Sequence, residues 1–332
     1  MPWPAKCSPH PATEPRETGA SRALDKNTNE TLQLAEPLND STGYVVEAAG
    51  RLGEWQTPFH RLEIFDTPHH GRLVRLDGSN WFSERDEFVR NENLIHPALT
   101  AHLAPRKVLL VGGGDGGAAE EALKHPSVER LTLCENDDRL LEVAKAHFFA
   151  VHRGAFDDPR LRVLVGDGMR FVRETHERYD LIVLDLNDPK GPVEPLHSVE
   201  FFQHCRAALA PGGSLALPLG APVARPERVA ELAQRLNGTF RIVRPYTLYI
   251  PLYGTQWAMA VCSDKLDPKS LTADEIDRRI EARRLQDLRF YNGETHEGVF
   301  ALPNFVRDLV NPPRLKLQPR GRRLGVVSAA AK

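Results

Sequence analysis

Lys107-Val108-Leu109-Leu110-Val111, then Gly112-Gly113-Gly114-Asp115-Gly116-Gly117, then Ala118-Ala119-Glu120-Glu121-Ala122-Leu123, is the stretch on which the fold turns. A short apolar run breaks into a glycine cluster and resumes as a helix-forming segment. Strand, glycine turn and helix in that order open a nucleotide-binding βαβ unit. The glycines carry no Cβ, so the chain turns tightly and its backbone approaches a ligand closely. Asp115 sets this loop apart. A phosphate-binding loop offers backbone N–H groups to an anion, and a carboxylate in the turn repels one. The acidic loop therefore predicts a ligand with an adenosine body and a cationic end, of the sulfonium type, and argues against NAD.

Working outward, strands are expected at 107–111, 130–134, 161–165, 180–184 and 214–219, and near 240–249 and 256–262. Helices are expected at 116–125, 137–147, 168–176, 198–209 and 226–236, with a charged helix over 272–290. This alternation predicts an α/β fold, a Rossmann-like, mostly parallel sheet with helices on both faces. Before it, residues 41–102 read as a small N-terminal domain of β-hairpins. Leu62-Glu63-Ile64-Phe65 and Arg72-Leu73-Val74-Arg75-Leu76 flank a His69-His70-Gly71 turn. A linking helix follows, with Phe88, Leu94, Ile95, Ala98 and Leu99 on one face. Residues 1–40, rich in Pro, Ser, Thr, Asn and Glu, read as a disordered leader. The Rossmann-like domain is placed at 103–310, and 311–332 is a basic, flexible tail to which no function is given.

Composition bounds the partners. The chain has 332 residues with 43 basic against 45 acidic side chains, a net charge of −2, which does not suit a nucleic-acid binder. Its apolar runs are strand-sized, so no membrane span is expected. Cys7, Cys134, Cys205 and Cys262 stand far apart with no CxxC pair, which suits a cytoplasmic protein without a disulfide framework or zinc site.

Open parallel sheets bind ligands beyond the carboxyl ends of their strands. Asp115 follows the first strand. Glu135 follows the second, about 20 residues past the glycine loop, where an acid commonly takes ribose hydroxyls. Asp167 and Gly168 follow the third, and Asp185-Leu186-Asn187-Asp188-Pro189 the fourth. Carboxylates crowded on one rim repel each other, a situation relieved by a polycationic ligand. Asp167 also reads as a helix N-cap.

These blocks resemble the spermidine synthase family, the polyamine aminopropyltransferases, from about residue 60 to about 310. The resemblance rests on LDGSNWFSERDEF (Leu76–Phe88), IHPALTAH (Ile95–His102), VLLVGGGDGG, HPSVERLTLCEND, AFDDPRLRVLVGDG (Ala155–Gly168), YDLIVLDLNDPKGP (Tyr179–Pro192) and FYNGETHEGVFALP (Phe290–Pro303). YTLYIPLYGTQWAMA (Tyr246–Ala260) is similar to the thermospermine synthase branch, and Tyr249, Tyr253 and Trp257 are candidates to wall an amine channel.

The resemblance implies decarboxylated S-adenosylmethionine as co-substrate, no tightly bound cofactor and no metal. It implies that Asp115, with Gly112 and Gly114, holds the aminopropyl ammonium, that Glu135 takes the ribose, that Asp167 and Gly168 meet the adenine, and that Pro192 lines the thioadenosine pocket. Asp185 is then the proton acceptor, and Asp188 and Asn91 bind the amine. His60 falls near a cofactor-contacting Gln of the family. The product expected from putrescine is spermidine. Transfer to spermidine, giving thermospermine or spermine, and a repurposed adenosine-binding relative are the alternatives. A homodimer or homotetramer is a family-level expectation. The chain departs from the family at Arg90-Asn91, where Tyr-His or Tyr-Gln is usual, at Trp81, where Gln is usual, and at Asn136. An Arg turned into a diamine site repels its substrate; Arg90 turned outward, or paired with an acid, does not.

Overall fold

The computed structural model describes residues 31–186 and 191–311, with no side-chain description for 191–193. Asp188 and the side chain of Pro192 thus lie outside the described residues, as do most of the leader and tail.

Three sheets form. β1 (Leu32–Pro37) and β2 (Gly43–Ala48) make a two-stranded antiparallel ribbon. β3 (Gly50–Gln56), β4 (Arg61–Thr67), β5 (Gly71–Leu76) and β6 (Ser79–Ser83) make a four-stranded antiparallel meander. The leader expected to reach residue 40 is therefore cut into by β1. Alternation in Leu34 and Val46 buries one face of the ribbon against Phe65 and Leu73, a weak period-2 signal amid polar residues.

The third sheet has seven strands: β7 (Lys107–Gly112), β8 (Arg130–Glu135), β9 (Leu161–Val165), β10 (Tyr179–Asp185), β11 (Leu209–Gly220), β12 (Ile242–Ile250) and β13 (Thr255–Ser263), in the order β12-β13-β11-β10-β7-β8-β9. β11, β10, β7, β8 and β9 run parallel, and β13 is antiparallel to β11 and β12. The crossovers are α2 (Gly117–Leu123), α3 (Asp138–His147), the short α4 (Phe149–His152), α5 (Gly168–Glu174), α6 (Val199–Ala208) and α7 (Pro226–Asn237), after the linking helix α1 (Glu87–Ala101); α8 (Ala273–Arg283), α9 (Gly293–Val299) and α10 (Asn304–Val310) close the chain. Both sheet faces are covered. Val108 and Leu110 join one core with α1 and α2, while Leu109 and Val111 join the other with α6 and α7. Burial on both faces is why these strands read as unbroken apolar runs. The order reverses between β7 and β10, the switch point at which such sheets open a crevice.

Two expectations are corrected. The helix placed over 272–290 stops at Arg283, because Arg284 and Asp287 take positive φ (53° and 57°). α1, expected to bury one face, is buried nearly all round, with Arg90, Asn91, Glu92, Asn93 and His96 inside. Its polar groups are used: Glu92 accepts the backbone N–H groups of Arg289, Phe290 and Tyr291 at 2.8–2.9 Å, and this ties the closing segment to the helix.

Candidate active site

A cleft of about 950 Å³ opens along the carboxyl ends of the parallel strands, roofed by residues of the two N-terminal sheets. Its floor is the glycine turn. Gly113 has φ +82°, and a Cβ there would meet Asp185 Oδ2 at 2.6 Å, so the bare backbone lets β10 bring its terminal carboxylate against the turn. Gly112 and Asp185 are register partners in the β7–β10 ladder.

On the β8–β9 side, carboxylates are held by neighbouring backbone. Glu135 Oε1 accepts the N–H of Asn136 at 2.8 Å and of Asp137 at 3.1 Å, and Oε2 accepts that of Gly114 at 3.2 Å. Burial raises its pKa, and these hydrogen bonds oppose the rise. Asp167 Oδ1 accepts the N–H groups of Met169 (2.8 Å) and Arg170 (3.3 Å), so it caps α5 while standing exposed on the rim. Gly168 presses on β7: a Cβ would lie 2.5 Å from Val111 Cγ1. Val111, Leu140, Met169, Leu186 and Leu196 give this side an apolar wall. Opposite them, His60 Nδ1 lies 2.9 Å from Asp77 Oδ2.

On the α1–β10 side, the charged groups come from distant segments. Arg90 Nη2 lies 2.5 Å from Asp185 Oδ1, and both side chains are almost fully buried. Burial works against the guanidinium's charge, but Asp185, with Asp115 behind it, holds its pKa above the ordinary value. Asp115 is buried; its Oδ1 accepts the Gly117 N–H at 2.6 Å. Burial first, then the charge of Asp185, push the Asp115 carboxyl up to about 7. The Tyr253 hydroxyl donates to the Trp81 carbonyl at 2.9 Å, and the Tyr253 ring lies 4.7 Å from that of Trp257. Trp257 Nε1 is buried with no hydrogen-bond acceptor among the described residues.

Of the residues expected at the site, His60, Gly112, Glu135, Asp167, Gly168 and Asp185 line the cleft. Gly114 and Asp115 do not line it, contrary to expectation: Asp115 is buried, and Gly114 donates its N–H to Glu135. Asn91 does not reach it, contrary to expectation. One residue along a helix is a turn of about 100°, so Arg90 faces the cleft and Asn91 faces α2. There its Nδ2 donates to Glu87 Oε2 at 2.9 Å, and a Cβ on Gly117 would sit 2.1 Å away. Tyr253 and Trp257 line the cleft; Tyr249 points outward and is 59% exposed. Sequence reading missed Glu36, Tyr44 and Asn80 from the roof, and Arg225 and Arg228 from the start of α7. The roof residues carry no local signal. The arginines sit just past the end of β11, and the strand-end rule reaches them.

The "Spermine/spermidine synthase domain" family model matches residues 87–274. A polyamine aminopropyltransferase of Nitrosomonas europaea is 45% identical over 279 residues, 84% of this chain and 86% of that one. Polyamine aminopropyltransferase 1 of Pseudomonas aeruginosa is 39% identical over 272 residues, 82% of this chain and 95% of that one. Among solved structures, a spermidine synthase in complex with the transition-state analogue AdoDATO superposes with a TM-score of 0.79 at 31% identity, covering 86% of this chain and 98% of that one. The spermidine synthase of Thermotoga maritima gives a TM-score of 0.78 at 31% identity, covering 87% and 99%.

Proposed function

We propose a specific reaction for this chain, which belongs to the spermine/spermidine synthase family and is an aminopropyltransferase: it moves the aminopropyl group of decarboxylated S-adenosylmethionine onto putrescine, giving spermidine and methylthioadenosine. The observation that carries the reading is the pair of buried carboxylates, Asp185 and Asp115, set about one glycine turn at the sheet's switch point.

The β8–β9 side suits the nucleoside. A carboxylate has about four acceptor sites, and Glu135 uses three on backbone N–H groups, leaving room for a ribose hydroxyl. The apolar wall beside it suits the adenine and the thioether. Asp115, behind the turn, suits the aminopropyl ammonium.

The amine nitrogen's lone pair forms a bond to the carbon beside the sulfonium as the carbon–sulfur bond breaks, and its electrons neutralise the sulfur. The leaving thioether is neutral and needs no acid. The nucleophile does need a base, because an alkylamine is mostly protonated at neutral pH. Asp185 favours the ammonium by charge and then takes its proton. Tyr253 and Trp257 offer aromatic faces to the alkyl-ammonium chain. Asp188 is proposed to anchor the distal ammonium. Arg225 adds a further positive charge to the cleft lining, which disfavours a third ammonium and supports putrescine over a triamine.

Incubation with decarboxylated S-adenosylmethionine and each amine, followed by product separation, tests this. Methylthioadenosine and spermidine are expected with putrescine. Faster turnover of spermidine than of putrescine would reassign the acceptor, and no methylthioadenosine with any amine would reject the reaction.

A further inference from the structure

An arginine in contact with the proposed base is out of keeping with a site for a dication. Arg90 is 6% exposed, Asp185 5%, and their 2.5 Å contact lies inside the cleft. The guanidinium cannot be neutralised by losing a proton in the physiological range, so its charge is permanent. Asp185 Oδ1 is in contact with Arg90 Nη2, and Oδ2 has no hydrogen-bond partner among the described residues. The carboxylate thus keeps an oxygen for another cation.

We propose that Arg90 is the specificity-determining residue of the acceptor site: its guanidinium holds Asp185 in the free enzyme, yields it to the reacting ammonium, and excludes diamines whose second ammonium falls close to it. This rests on the aminopropyl-transfer reading and refines it. Asp185 is one negative charge facing two positive ones when the acceptor arrives, Arg90 and the reacting ammonium. A second ammonium three carbons away adds a third charge in the same low-dielectric space, where like charges repel strongly. Each further methylene moves that charge farther from Arg90 within the cleft that Tyr253 and Trp257 line. Selection is therefore by charge spacing.

The test compares wild type, R90Q and R90K with 1,3-diaminopropane, putrescine and cadaverine. Affinity is read by calorimetry on enzyme saturated with methylthioadenosine, and kcat/KM in turnover. In wild type, putrescine is preferred to 1,3-diaminopropane. In R90Q that preference shrinks about tenfold, mostly through KM. R90K keeps the preference within about threefold, because it keeps the charge. A preference unchanged within twofold in R90Q overturns the proposal. So does an R90K that loses it as fully as R90Q, since geometry and not charge would then select. Should R90Q not fold, the R90Q/D185N pair replaces the ions with two amides, and the calorimetric preference is expected to collapse there too. The arms separate the two readings. Turnover with an unchanged preference rejects Arg90's role alone. A collapsed calorimetric preference without turnover by any variant rejects aminopropyl transfer and retains Arg90's role.

Discussion

The two ends of the cleft hold their charges by different means. At the β8–β9 end, Glu135 and Asp167 are fixed by N–H groups of residues one to three positions away, with one bond from Gly114, farther off in the chain. At the α1–β10 end, Asp185 meets an arginine from a helix formed well before it in the chain, and Tyr253 is tied to Trp81. The first end is rigid because short loops have little freedom to lose. The second depends on docking of separate elements, and an ion pair can exchange partners there without unfolding anything. A site that must hold a nucleoside fixed while an acceptor enters and leaves benefits from this division.

The largest expected break in that contrast is Asp185→Asn. If Asp185 is the general base, its loss lowers kcat by about 10²–10⁴-fold, while affinity for methylthioadenosine, which lacks the cationic end, changes little. Steady-state kinetics with both substrates varied, and calorimetry with methylthioadenosine, would show this. Activity within about tenfold of wild type removes Asp185 from its role as base.

The same contrast explains what the sequence made legible. The β7 strand, glycine turn and α2 announce themselves because all their determinants lie within seventeen residues, Lys107 to Leu123. Glu135 and Asp167 were found by counting from strand ends, because a parallel sheet places those ends on one edge. Arg90 stands out in the sequence as a departure, but its direction is not legible there: α1 is buried nearly all round, so helical periodicity names no solvent face and no cleft face. Asn91 was misplaced for the same reason. Glu36, Tyr44 and Asn80 reach the cleft through packing of small sheets onto the larger domain, which no local pattern encodes.

The second prediction sharpens the contrast through protons. Asp115 is pushed up to about 7 by burial and by Asp185. A cationic ligand at the site favours its carboxylate and lowers that pKa. Binding of decarboxylated S-adenosylmethionine near pH 7 is therefore expected to release protons, and affinity should rise with pH through about 7 and fall below it, where Asp115 carries its proton. Calorimetry in buffers of different ionisation enthalpy reads the release directly. Methylthioadenosine, which lacks the cation, should release none, and Asp115→Asn should abolish the effect. A buffer-independent enthalpy for the wild-type enzyme would place the aminopropyl ammonium elsewhere.

The smallest effect is expected at Asp167, where one carboxylate is open to two readings. Its Oδ1 caps α5, and it also stands on the cleft rim. Serine caps a helix nearly as well as aspartate, whereas alanine costs about 1 kcal/mol. Asp167→Ser is therefore expected to leave the melting temperature within a degree or two, and Asp167→Ala to lower it further. If the carboxylate meets the adenine, both variants lose the same hydrogen bond, worth about 0.5–1.5 kcal/mol, and both raise KM for the nucleoside substrate by about two- to tenfold. If it serves only as a cap, KM stays level in the serine variant and moves in the alanine variant only as far as the loosened α5 disturbs Gly168 and Val111. The serine variant separates the two because it removes charge from the rim without loosening the helix, a separation available only where the backbone neighbours hold the side chain. At the other end a substitution of either partner also unsettles the second, because Arg90 and Asp185 are buried against each other.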